Sequence, residues 1–203
     1  MPSTFSTLYG YITDAIGQAD TLGVNLAKRG VNFGQLLAAL LFRPPELHAV
    51  GSLAVSGSSA SLAGLSTRLH DIKAVYNSTG ACNVWLIPYD KWKVIVPSGE
   101  TYIKFYTRFG NTLYVNQPSA SNTLSISYFN VPTSLSNDAT QIDFDNYDSF
   151  ITAIGTRFAF ACIEEGESSE IFQKVGDAFS IPLAMGTKIR NEIEEALKSG
   201  YHI

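Results

Sequence analysis

Apolar residues recur at helical spacing near both ends of this chain and at strand spacing in its middle. Phe5, Leu8, Tyr9, Ile12 and Ile16 share one helical face, with Ser3 or Thr4 as N-cap and Gly17 as terminator. Phe33, Leu36, Leu37, Leu40 and Leu41 make a second apolar face. Gly23, Gly30 and Gly34 weaken the run before it, which puts the expected start of this helix at Asn32. Pro44-Pro45 stops it, since proline lacks an N–H donor and clashes with the preceding turn.

The middle of the chain reads as strands: Leu47–Ser56, Ala60–Leu65, His70–Tyr76, Asn83–Ile87, Tyr102–Phe109, Thr112–Asn116 and Thr123–Asn130. In the last of these Leu124, Ile126 and Tyr128 share one face, and Ser125, Ser127 and Phe129 the other. Gly57-Ser58 and Gly110-Asn111 are expected at hairpin turns, where a positive φ is needed. Residues 88–100 fit either a strand through Trp92, Val94 and Val96 or a packed loop.

Helical spacing returns with Phe150, Ile151, Ile154, Phe158 and Cys162, opened by Asp145 or Asn146 as cap. After a turn at 164–167, Ile171, Phe172, Val175, Phe179 and Leu183 start a longer helix, kinked at Pro182. Ile189, Ile193 and Leu197 continue its stripe up to Gly200. The expected fold is therefore α+β: N- and C-terminal helices forming a bundle, with an inserted antiparallel β domain. The expected domains are residues 1–46, 47–132 and 133–203, the last packing with the first.

Charge changes the picture in one respect. Hydrophobic residues make up 45% of the 203 residues and charged ones only 16%, so the surface is rich in Ser, Thr, Asn and Gly. That suits burial in an assembly. The net charge of −4 argues against a free nucleic-acid binder. It is unevenly spread: residues 47–139 carry six bases and four acids, whereas 140–203 carry five bases and eleven acids. Cys82 and Cys162 stand far apart, which predicts reduced thiols and no metal site. The N-terminus lacks the pattern of a signal peptide, and the longest apolar run, Leu36–Phe42, is far short of the ~20 residues that span a bilayer. A soluble intracellular product, with no membrane partner, is expected.

Catalytic chemistry finds little footing. Gly51 to Gly57 lacks the Lys-Ser/Thr of a phosphate loop, and Ser56, Ser58, Ser59 and Ser61 have no neighbouring base. His48, His70 and His202 are isolated. Asp143, Asp145 and Asp148 begin like a calcium loop, but the sixth position is Asp148 where glycine is required, so helix capping accounts for them better. Trp85, Tyr89, Trp92, Tyr102, Phe105 and Tyr106 alternate with Lys91, Lys93, Lys104 and Arg108. A base-stacking platform has this composition, but so does a β core edged by snorkelling lysines, and the second is the commoner arrangement. No catalytic residue, metal or cofactor is assigned.

Several segments, in order, resemble the adaptor or head-to-tail connector proteins of tailed bacteriophages, the ring proteins beneath the portal. His70-Asp71-Ile72-Lys73-Ala74-Val75-Tyr76 is similar to their strand ending in Val-Tyr. Tyr102 to Val115 resembles their glycine-turned hairpin, and Pro118 to Phe129 the strand after it. Val131-Pro132-Thr133-Ser134-Leu135-Ser136-Asn137-Asp138 resembles the linker that follows, and Asn146 to Phe160 the next helix. Ile12 to Gly17 resembles the end of the opening helix. The resemblance covers about residues 68–165. The stretch Lys91–Glu100 departs from it as an insertion, and Glu100-Thr101-Tyr102 replaces the usual proline-tyrosine before the hairpin.

The resemblance implies a structural virion protein at the head–tail neck, a ring of about twelve copies joining portal to tail and lining the DNA channel. Its implied partners are the portal protein, further copies of itself, downstream tail or nozzle proteins with tail fibres as a further candidate, and double-stranded DNA passing without specific binding. The alternative is a tail-associated β-domain binding module for a receptor or fibre. Leu37, Leu41 and Phe158 are the expected ring-interface residues. A portal contact is expected on Lys188, Ile189, Arg190, Ile193, Leu197, Tyr201 and Ile203, an apolar stripe with charged flanks beyond a hinge at Gly186; the alternative is that this helix completes its own subunit's bundle. The channel wall is expected to be acidic, through Glu164, Glu165, Glu167 and Glu170, so that DNA slides past.

Overall fold

Thr4 accepts a hydrogen bond from the Thr7 amide and so caps α1, Phe5–Ile16, which ends where Gly17 turns left-handed at φ 67°. This is the computed structural model of the chain, and it describes residues 2–95, 100–116, 118 and 120–165. The longest helix among the described residues, α2, spans Thr21–Phe42 and is capped by Asp20. It begins well before the expected Asn32, because Gly23, Gly30 and Gly34 are packing positions within a continuous helix. A Cβ at Gly30 would lie 2.6 Å from the Gly155 carbonyl oxygen, and one at Gly34 2.5 Å from that of Ile151. The lost helix propensity is offset by a close helix crossing. From Gly30 to Leu40 every residue of α2 is buried.

Its crossing partner is α4, Asp148–Glu165, whose Ile151, Ile154, Phe158 and Cys162 are buried as the spacing implies. The helix opens at Asp148 rather than on an Asp145 or Asn146 cap; Asn146 is itself left-handed at φ 70°. Phe33 and Phe158 stack with centroids 5.1 Å apart.

The segment from Val131 to Tyr147 packs with these helices through hydrogen bonds. Asn32 serves both backbone groups of Leu135: its Nδ2 donates to the carbonyl at 3.1 Å and its Oδ1 accepts from the amide at 2.8 Å. Gln35 Nε2 donates to the Thr133 carbonyl at 2.8 Å. Two otherwise orphaned amides at the start of α1, Phe5 and Ser6, donate to the carbonyls of Thr140 and Asp138.

Among the described residues seven strands follow one order, β1-β7-β3-β4-β5-β6-β2. They are β1 His48–Val55, β2 Ser59–Ser61, β3 Leu69–Asn77, β4 Cys82–Leu86, β5 Phe105–Phe109, β6 Thr112–Val115 and β7 Asn122–Asn130. The edge strands β1 and β2 are neighbours, so the sheet is barrel-like and nearly closed. Inside lie Val55, Leu62, Leu69, Val75, Val84, Ile103, Tyr106, Leu113, Val115, Leu124, Ile126 and Tyr128.

The fold is α+β, but the expected bundle of terminal helices around an inserted antiparallel β domain is corrected. β4 and β5 pair in parallel, with Trp85 opposite Phe105 and Leu86 opposite Tyr106, so the sheet is mixed. Parallel neighbours need a crossover of a dozen or more residues. Residues 87–104 supply it and carry a helix, α3 Tyr89–Ile95, where a strand or loop was expected. The helices are thus not confined to segments flanking the strands. The chain divides into two compact units, Met1–Leu47 with Val131–Ile203, and His48–Asn130.

Smaller corrections have local causes. The strand expected over Ala60–Leu65 is β2 only to Ser61, which caps a 3-10 turn at Leu62–Gly64. Gly57-Ser58 joins two strands that pair with β7 and β6 rather than with each other, and it needs no positive φ. Gly110 does turn the β5–β6 hairpin, at φ 57°. The strand expected from Tyr102 begins only at Phe105. Residues 166–203, with the expected Pro182 kink and Gly186 hinge, lie outside the described residues.

Candidate interaction surface

Alternation along β4 and β5 sends neighbouring aromatic side chains to opposite sides of the sheet. Tyr106 enters the core, where burial raises its hydroxyl pKa and the Asp71 charge adds to the rise. Trp85 and Phe109 remain 65% and 61% exposed, and Leu86, Tyr89 and Tyr102 are exposed with them. Tyr89, at the start of α3, stacks on Phe109 with centroids 4.9 Å apart and lies 6.5 Å from Tyr114. The aromatic run of the sequence is therefore divided: Tyr106 belongs to the core, Phe105 and Trp92 are half-buried, and Trp85, Tyr89 and Tyr102 face water.

Two of the four interleaved basic residues, Lys104 and Arg108, are engaged by other residues of the chain. Lys104 Nζ donates to Glu100 Oε2 at 2.7 Å, which raises the lysine pKa. Arg108 reaches from β5 to β3: Nη1 donates to the His70 carbonyl and Nη2 to the Leu69 carbonyl at 3.3 Å, with Nε on Gly110 at 2.8 Å. A platform for stacking bases needs cations turned to phosphate, and these two are bonded to oxygens of the chain itself, Lys104 at the surface and Arg108 part-buried.

Three buried asparagines fix the crossover on which this surface is carried. Asn116 Oδ1 accepts from the amides of Lys104 and Phe105 at 2.9 and 3.0 Å, and its Nδ2 donates to the Tyr102 carbonyl at 3.1 Å. Asn122 Oδ1 accepts from the Ile103 amide at 3.3 Å and from Asn77 Nδ2 at 2.6 Å. Asn77 Nδ2 also donates to the Ile103 carbonyl at 3.1 Å. These side chains replace ladder hydrogen bonds just before β5 begins. The sequence reading missed them, although an asparagine at the end of β3, just after β6 and at the start of β7 is the available signal.

Among the helices, Lys28 Nζ bonds Asp138 Oδ1 at 2.9 Å and lies 4.7 Å from the Tyr9 ring centroid. The bond to Lys28, then that to Tyr9, holds the Asp138 carboxyl below its ordinary range. The same bond to Asp138 raises the Lys28 pKa, and burial is the main cause raising that of Tyr9.

Two of the three expected ring-interface residues are buried within their own unit. Leu37 is 2% and Phe158 3% exposed, both in the core of their own unit, and Leu41 is half-buried. Exposed large apolar side chains of α1, α2 and α4 are Tyr11, Leu22, Phe42, Phe160 and Ile163. The expected portal residues Lys188, Ile189, Arg190, Ile193, Leu197, Tyr201 and Ile203 lie outside the described residues, as do Glu167 and Glu170 and the side chains of Glu164 and Glu165. Asp143 and Asp148 have separate tasks: Asp143 Oδ2 accepts from the Thr133 amide at 2.6 Å, and Asp148 accepts from the Ser3 hydroxyl. Among the described residues no group of three or more His, Cys, Asp or Glu is placed to hold a metal ion, and neither Cys82 nor Cys162 is in a disulfide. No helix among them is long and apolar enough to cross a membrane. Neither a known protein family nor a curated protein matches the chain.

Proposed function

We propose that this chain is a structural subunit of a tailed bacteriophage virion, an adaptor that assembles into a ring between portal and tail and lines the DNA channel, and that it is not an enzyme. One observation carries the reading beyond the resemblance of residues 68–165. After α1, α2 and α4 have buried their stripes against one another, Tyr11, Leu22, Phe42, Phe160 and Ile163 are still exposed. Apolar groups left in water by one copy are covered when copies stand side by side. On this reading the contacts between copies fall on these side chains, and Leu37 and Phe158 support them from within.

Deleting residues 187–203 tests the portal contact. The expected product is a soluble, folded subunit that no longer co-sediments with portal. Unchanged co-sedimentation contradicts that assignment.

A second reading, a tail-associated β-domain binding module for a receptor or fibre, is favoured by Trp85, Tyr89 and Phe109, since exposed aromatic rings suit sugar faces and peptide anchors. Trp85→Ser separates the two. Loss of receptor or fibre binding with ring assembly intact supports the module, and loss of neither leaves the adaptor reading in place.

A further inference from the structure

From Leu47 to Thr67 the chain contains no Asp, Glu, Lys or Arg. Both edge strands of the sheet, β1 and β2, lie within that stretch. Sheet edges are ordinarily blunted by lysine, proline or a bulge, because their unpaired N–H and C=O groups accept any passing strand. β2 is short, three residues. β1 is eight residues long and, among the described residues, hydrogen-bonded to β7 alone, in unbroken register from His48↔Phe129 to Val55↔Asn122. It carries neither charge nor proline, and Val50 on its outward face is 70% exposed.

The core beside this edge is incompletely covered. Of the half-buried apolar residues packed on it, Ala49 and Leu53 lie on β1, Ala60 on β2 and Leu65 shortly after it, while Ile72 lies on β3. Four of the five therefore fall in the uncharged stretch that forms the opening. Leu65 reaches across β1 at Gly51, where a Cβ would meet its Cδ2 at 2.8 Å.

We infer that the free edge of β1 takes an extended strand from a partner protein, uncharged and apolar at alternate positions, which completes the barrel. Its backbone continues the ladder outward from β1. Its inward side chains cover Ala49, Leu53, Ala60 and Leu65. This is recognition by strand addition, in which the ladder gives affinity and the alternate side chains give specificity. The absence of charge at the edge sets the partner's chemistry, since a charged strand would bring an unpaired ion over apolar side chains. The surface is independent of the adaptor reading and applies under either function.

A synthetic peptide of the chain's own Asn122–Asn130, which already has the alternation that pairs with β1, serves as probe. Amide hydrogen exchange is followed on the full chain, alone and with peptide. The expected result is slowed exchange over His48–Val55 on adding peptide. Ala49→Lys, on the inward face, should weaken binding by about tenfold or more, and Val50→Lys, on the outward face, should leave it unchanged. Equal weakening by both variants, or none by either, overturns completion of the core. Should Ala49→Lys fail to fold, the exchange map of the unaltered chain decides: no slowing up to about 1 mM peptide, or slowing elsewhere than β1, overturns the proposal. Slowed exchange at β1 without peptide, together with a dimeric mass, also overturns it and assigns the edge to a second copy.

Discussion

Gly30 of α2 and Gly155 of α4 meet backbone to backbone: a Cβ at Gly30 would stand 2.6 Å from the Gly155 carbonyl oxygen, and one at Gly155 would stand 2.9 Å from the Gly30 carbonyl carbon and 2.4 Å from Ile12 Cδ1. The two helices have no room for a methyl group at their crossing. Gly30→Ala and Gly155→Ala should each destabilise the chain by about 1–3 kcal/mol in chemical denaturation, the cost of overpacking a filled contact. Gly10→Ala is the control. It lies in α1 with nothing within 4 Å of the added methyl, so it should stabilise by about 0.5–1 kcal/mol. A neutral Gly30→Ala would mean that the crossing is looser than described.

The asparagine clamp makes a second prediction. Asn122→Ala removes the acceptor of the Ile103 amide and of Asn77 Nδ2, all of them buried. Leaving such donors unpaired costs about 1–3 kcal/mol. Thermal denaturation should register that loss, and amide exchange should quicken at residues 101–105 ahead of the β1–β7 ladder.

The Lys28–Asp138 pair predicts a pH dependence with a definite sign. Asp138 has its folded pKa below the ordinary 3.8, so its contribution is present above that value and is lost as pH falls through the folded pKa. Lys28 has its folded pKa above 10.5, so its contribution is complete below that value and is lost as pH rises through the folded pKa. Asp138→Asn should flatten both limbs of a stability–pH profile and change it least in slope between them. An acid limb as steep in the variant as in the parent would rule out Asp138 as its source.

Burial separates residues that hold the subunit from residues open to a partner. Leu37→Asp puts a charge into a closed core and should abolish the soluble folded chain, since truncation of such a leucine alone costs about 2–5 kcal/mol. Trp85→Ser and Tyr11→Ser, at exposed positions, should leave the circular dichroism spectrum and melting temperature close to the parent's. A folded Leu37→Asp would contradict the packing of α2.

Legibility in the sequence followed the reach of each signal. α1 was readable because its apolar period and both caps are local. The start of α2 was misread because a glycine that breaks a lone helix and a glycine that admits a neighbouring backbone look alike until the neighbour, Gly155, is known. α3 was missed because seven residues are too few to tell a period of 3.6 from one of 2, and Trp92, Val94 and Val96 alternate. The parallel β4–β5 pair was invisible, since strand order is a property of the whole sheet. For the surface, residue types were legible and their sides were not. Tyr106 points in and Trp85 out because of register, and a shift of one residue would reverse both.

Native mass spectrometry of the full chain with purified portal tests the central claim most directly. The adaptor reading predicts a ring of about twelve copies on the portal. A chain that stays monomeric in the presence of portal, or that forms a trimer and ignores it, would contradict it.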